Sequence, residues 1–158
     1  MRRSAESVAA LAALFLASRS AAQAAVTTEA RADVVVARRT AIEGGLSLVV
    51  PAGIYVRTSL SAAAGAANYP SGSALVGRAE IVSRFLLDPF REARYGLSIG
   101  GGVGATNIGD GEKWRPYLAV VLDLELQRTA RLMPAVQLGL GGGARLGVVL
   151  RRSSGQWR

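Results

Sequence analysis

From Ile54 onward the chain alternates apolar with less apolar residues at a period of two, the spacing of an extended strand with two unlike faces. Between 54 and 65 the even positions carry Ile54, Val56, Leu60 and Ala62 against Tyr55, Arg57, Ser59 and Ser61. A second run sets Leu75, Ala79, Ile81 and Phe85 against Val76, Arg78, Glu80, Val82 and Arg84. A third sets Tyr95, Leu97, Ile99 and Val103 against Gly96, Ser98, Gly100, Gly102 and Gly104. A fourth sets Trp114, Leu118, Val120, Leu122 and Leu124 against Arg115, Tyr117, Ala119, Asp123 and Glu125. The last keeps its apolar residues on even positions from Leu132 to Leu150, with Gln137, Gly139, Arg145 and Gly147 opposite. Each run reads as a strand with one apolar face.

Turn residues separate the runs: Pro51 to Gly53, Asn68 to Gly72, Asp88-Pro89, Asn107 to Gly111, and Gln127 to Ala130. Such short links make neighbours in sequence antiparallel neighbours in space, an up-and-down meander. Residues 29–50 read more easily as two strands than one, and 132–151 as one long strand or a hairpin turning at Gly141-Gly142-Gly143. Splitting neither gives six strands and splitting both gives eight. Eight is expected, because an eight-stranded barrel is just wide enough inside for side chains to fill.

The N-terminus has a different character. Arg2 and Arg3 precede an apolar run, Val8 to Ala17, and Ala22-Gln23-Ala24 offers a small-x-small cleavage pattern, so residues 1–24 read as a secretory signal peptide and 25–158 as one β-barrel domain. The uncharged stretch between Glu6 and Arg19 is 12 residues, short of the roughly 20 that a spanning helix needs. Loss of Arg2, Arg3, Arg19 and Glu6 would lower the net charge from +8 to +6. Neither His nor Cys occurs anywhere, which removes disulfides, imidazole and thiolate metal sites, and every catalytic relay built on those side chains.

Alternation alone leaves the apolar face free to point into a core or out into lipid. A water-facing sheet is normally dense in Lys, and this chain has one, Lys113, in a connection. The Gly and Ser face between 96 and 106 would make a poor solvent surface but suits a narrow interior, where small residues leave space for bulky charged neighbours. The inward set is then Arg57, Arg78, Arg84, Arg115 and Arg145 with Glu80, Asp123 and Glu125, a structural charge network. Arginine and carboxylate are both available, as burial requires. Tyr69, Phe85, Phe90, Tyr95 and Trp114 fall near strand ends, where they are either interfacial girdles or ordinary core-edge aromatics.

With an export segment, alternating strands, short turns and a charge-paired second face, the chain resembles the small outer-membrane β-barrels of the OmpA and OmpX kind over nearly all of residues 29–151. The resemblance implies an eight-stranded antiparallel barrel, termini in the periplasm, and outer-membrane lipid and the outer-membrane assembly machinery as partners. It implies no enzyme activity and no cofactor. Two features depart from the pattern: the family usually ends its last strand on an aromatic, whereas this chain ends Gln156-Trp157-Arg158, and the external connections are short. Arg38, Arg39, Arg91, Arg94, Arg128, Arg131, Arg151 and Arg152 lie near strand ends, where lipid phosphates are a natural contact.

Other motifs have plainer readings. Gly100 to Gly104 and Gly139 to Gly143 lead into no helix and lack the Lys-Ser/Thr of a phosphate loop, so they read as close packing. Asp123 and Glu125 share a strand face and could hold a cation, but counterions for interior arginines are the better reading, with no metal expected. The basic charge is scattered, with no patch or recognition helix for nucleic acid. The rivals to a membrane barrel are a soluble periplasmic lipocalin-like barrel that binds an apolar ligand and, more weakly, a lipid-acting envelope enzyme.

Overall fold

A computed structural model describes residues 26–70, 72–90, 95–108, 113–126 and 132–152. The expected signal peptide therefore lies outside the described residues, as do Gln127 to Ala130 and part of the link after Asp88. Eight strands form: β1 (Thr27–Val36), β2 (Thr40–Pro51), β3 (Val56–Tyr69), β4 (Gly72–Leu86), β5 (Gly96–Thr106), β6 (Arg115–Glu125), β7 (Leu132–Leu140) and β8 (Ala144–Arg152). Each pairs antiparallel with the next, and β1 pairs with β8 to close the barrel. Both ambiguous segments are hairpins. β1 and β2 meet with Val36 opposite Thr40, and β7 and β8 with Leu140 opposite Ala144. The second turn is made by Gly141, Gly142 and Gly143, all at positive φ (115°, 66° and 133°), where a side chain would be strained.

Closure leaves no open edge along the body of the sheet, which is how an all-β chain avoids pairing with other chains. Strands of 9 to 15 residues are long enough to cross a bilayer, for which a tilted strand needs about 9 to 11. Among the described residues no helix is long and apolar enough to do so.

Burial follows the alternation and inverts the usual rule. In β4, Arg78, Glu80, Val82 and Arg84 are buried while Leu75, Ile81 and Phe85 are exposed. The same division holds in β1, where Glu29, Arg31 and Asp33 point inward between outward Ala30, Ala32 and Val34. The outer wall is thus apolar and the interior charged. Interior apolar residues gather at the end away from the termini, where Val35, Ala41, Ala67, Val76 and Ile108 form a cluster against Tyr69. A smaller patch, Val82, Ala119 and Val121 with Tyr117, sits on one wall.

Candidate functional site: the ionic lumen

Narrowness comes first. Each bulky interior side chain of one strand faces a residue of the next, and glycine stands opposite the largest. A Cβ on Gly139 would lie 2.8 Å from the Nε of Arg145, one on Gly100 would lie 2.8 Å from the Cγ of Arg84, and one on Gly104 would lie 2.8 Å from the Tyr117 ring. At Gly147 an added methyl would collide with the carboxylate of Asp33. The expected role of the glycines, space for charged neighbours, is what this register produces.

The space is filled by two groups of ion pairs. Nearest the termini, Arg151 reaches Glu29, Asp123 and Glu125, each at 2.6 Å, while Arg84 holds Asp123 at 2.7 Å and Glu29 at 3.2 Å. Arg57, half-buried, adds a contact of 2.9 Å to Glu125. Further along, Arg145 and the Tyr117 hydroxyl both donate to Glu80 at 2.6 Å, and Arg31 pairs with Asp33 at 2.7 Å. Arg78 lies 3.1 Å from Glu43, both fully enclosed, without an aligned hydrogen bond between them. Gln137 joins the groups: its amide nitrogen donates to Asp123 at 2.6 Å, and its oxygen accepts from Arg31 at 2.9 Å and Arg145 at 3.2 Å.

Charge balance makes this burial tolerable. Glu29, Asp123 and Glu125 face Arg57, Arg84 and Arg151; Asp33, Glu43 and Glu80 face Arg31, Arg78 and Arg145. Each group is formally neutral, so among the described residues no uncompensated charge sits in the low-dielectric interior, the case that costs several kcal/mol per ion. The gap bounded by Arg31, Glu80, Arg84, Gln137 and Arg145 has essentially no volume open to a water molecule, about 0 Å³.

Of the interior residues expected from sequence, the structure brings Arg57, Arg78, Glu80, Arg84, Asp123, Glu125 and Arg145 to the lumen and leaves Arg115 outside it. Arg115 is exposed because β6 pairs with β7 only from Val120 onward, so at Arg115 the wall on that side has already ended. Arg151, expected at the rim, is a lumen hub instead. Glu29, Arg31, Asp33 and Glu43 are members that the expected set lacks, whereas Tyr117 and Gln137, which alternation places on the inward face, join the charged residues as neutral partners. The aromatic expectation also divides: Tyr55 stacks on Phe85 at 5.8 Å and meets Phe90 edge-on at the terminal end, while Tyr69 turns inward, with Arg39 5.5 Å above its ring. Arg91, Arg94, Arg128 and Arg131 lie outside the described residues.

Several solved structures share this fold. The N-terminal β-barrel domain of Pseudomonas aeruginosa OprF superposes with a TM-score of 0.57 at 15% identity, covering 82% of this chain and 99% of that one. Neisserial surface protein A superposes with a TM-score of 0.59 at 10% identity over 80% of this chain and 94% of that one. The chain has the fold of the small outer-membrane barrels. A de novo designed transmembrane β-barrel superposes with a TM-score of 0.54 at 9% identity, over 80% of this chain and 93% of that one. No protein-family model and no curated protein matches the sequence.

This geometry does not favour the lipocalin-like alternative. A soluble barrel with an apolar pocket needs its apolar face inside, and here that face is the exposed one. Among the described residues, no group of three or more acidic residues is arranged to hold a metal ion. Asp123 and Glu125 are engaged by Arg84, Arg151, Gln137 and Arg57, the counterion arrangement rather than an open cation site.

Proposed function

We propose that the protein is a non-enzymatic β-barrel of the outer membrane, exported through residues 1–24, with a sealed lumen and a structural or interaction role in the cell envelope. One observation carries the reading. Leu75 and Leu118 are 78% and 77% exposed while Asp123 is 0% exposed, an inversion that only a surrounding apolar phase makes favourable. The ionic groups act as the fastening of the wall: they tie β1, β3, β4, β6 and β8 across the lumen, where a one-residue slip of any strand would turn its charges into lipid. The outer-membrane assembly machinery would then insert the chain, and lipid is its permanent neighbour.

Membrane fractionation with gel electrophoresis of unboiled and boiled samples tests this. The expected result is recovery with the outer membrane and faster migration before boiling. Recovery as a soluble periplasmic monomer whose mobility does not change on boiling overturns the reading.

A further inference from the structure

The outer wall is not evenly thick. Along β1 the outward residues nearest the termini are Thr28 and Ala30, and the register places Ala30 directly between Leu46 of β2 and Leu150 of β8. Those two leucines stand one strand to either side, so the ridges they form are about 9.5 Å apart with a methyl group as the floor. The resulting groove, lined also by Leu132, Thr28 and Arg152, is a shallow open trough of about 480 Å³ on the outer wall.

Its open end is basic. Arg152 is exposed at the end of β8, opposite Leu132, with no hydrogen bond or ion pair to any described residue. Glu29 borders the groove, but its carboxylate faces inward to Arg151 and Arg84 and brings no negative charge to it. The aromatic cluster of Tyr55, Phe85 and Phe90 lies at this same end of the barrel, the kind of side chain that collects at the headgroup level of a membrane. An apolar trough that runs up to an exposed guanidinium at that level matches a molecule with a hydrocarbon chain and a phosphate at one end.

We infer that this groove between β8, β1 and β2 holds one anionic glycerophospholipid, an acyl chain lying over Ala30 between Leu46 and Leu150 and the phosphate on Arg152. The inference rests on the membrane-barrel reading, because only there does the outer wall meet lipid. The Arg–phosphate contact is charge-assisted in either headgroup, but a zwitterionic headgroup adds a fixed cation that the guanidinium repels, so the site should prefer an anionic one.

The test uses protein extracted from the membrane fraction and exchanged into phosphatidylcholine vesicles containing a minor share of phosphatidylglycerol, with retained lipid counted by native mass spectrometry. One phosphatidylglycerol per barrel, in excess over its share of the bilayer, is the expected result. Ala30→Leu fills the trough and should abolish the retained lipid. Arg152→Gln should lower the preference for phosphatidylglycerol about fivefold, the worth of one basic residue at an anionic surface. Val120→Leu, on the far wall, should change nothing. Retention in proportion to the bilayer, or equal retention by Ala30→Leu, overturns the inference. So does a gain in bound lipid when residues 153–158 are deleted, which would make the chain's own end the occupant. An unboiled sample without a mobility shift would remove the membrane-barrel reading as well, whereas a normal shift with no lipid preference removes only this site.

Discussion

The lumen changes character along its length. Toward the termini and through the middle it is ionic, with Arg151, Arg84 and Arg145 each gripping carboxylates from other strands. At the opposite end it is apolar: Ile108, folded in after β5, lies with Val35, Ala41, Ala67 and Val76 beneath Tyr69. Ile108 is held there by its own backbone, whose N–H donates to the Thr106 hydroxyl at 3.2 Å, while Asn107 accepts the N–H of Gly77 at 2.6 Å. The two sections place different demands on the sequence. An apolar cap is satisfied by volume and tolerates exchange among similar side chains. An ionic section is satisfied only if each charge meets its partner across the barrel, so it depends on the register of every strand at once. Arg151 and Glu29 are 122 residues apart and belong to the two strands whose pairing closes the ring.

The largest effect should therefore come from the ionic hub. Arg151→Ala leaves Glu29, Asp123 and Glu125 to share Arg84 and Arg57, and the cost should be about 3 to 5 kcal/mol in urea unfolding from lipid vesicles. A loss below about 1 kcal/mol would mean that water reaches the section and screens it, and the contrast with the cap would disappear. Val120→Arg comes next. Val120 faces outward beside the buried Ala119, and arginine there should cost about 2 to 4 kcal/mol near the bilayer midplane. Tolerance of that charge would reverse the assignment of the faces.

Much of this was legible beforehand, and the exceptions have physical causes. Face assignment from Ile54 to Leu150 followed from alternation, because bulky aliphatic residues mark the outer face of β3 to β8. β1 escaped that test: its outward residues include Thr28, Ala30 and Ala32, too small to register as an apolar face beside Glu29, Arg31 and Asp33. The alternation of charged residues with alanine was the available sign. The β7–β8 hairpin hid for another reason. A three-residue turn keeps parity, since Leu140 and Ala144 are both even and both outward, so one register runs through the turn unbroken. Only the glycine triplet betrays it. Arg115 failed in the opposite sense. Its parity is that of the lumen, but strands in a tilted barrel end at different heights, and parity says nothing about where a neighbouring strand stops.

The cap should be cheaper to damage than the hub. Ile108→Ala removes the segment's contribution to the cluster and should cost about 2 kcal/mol, the lower end for a buried aliphatic truncation, because a residue at the rim can be partly replaced by solvent or by Tyr69. The accompanying sign is local. Amide exchange at Val35, Ala41 and Val76 should speed up while that of the strands around Asp123 stays slow. Uniform acceleration throughout the barrel would make cap and ionic section a single cooperative unit.

Arg115→Gln should have the smallest effect, within about 0.5 kcal/mol, and it sharpens the comparison by removing the same charged group from a residue of the same parity. Arg84 sits among Glu29, Ser59 and Asp123 with its guanidinium excluded from water, whereas Arg115 stands at the rim where the β7 side of the wall is missing. Arg115 is exposed, so water and salt screen whatever its charge contributes, and its replacement should cost little. Measured beside Arg84→Gln under the same unfolding conditions, it isolates enclosure from charge. Equal losses for the two would mean that Arg115 is drawn into the lumen in the membrane and that the ionic section extends to the cap.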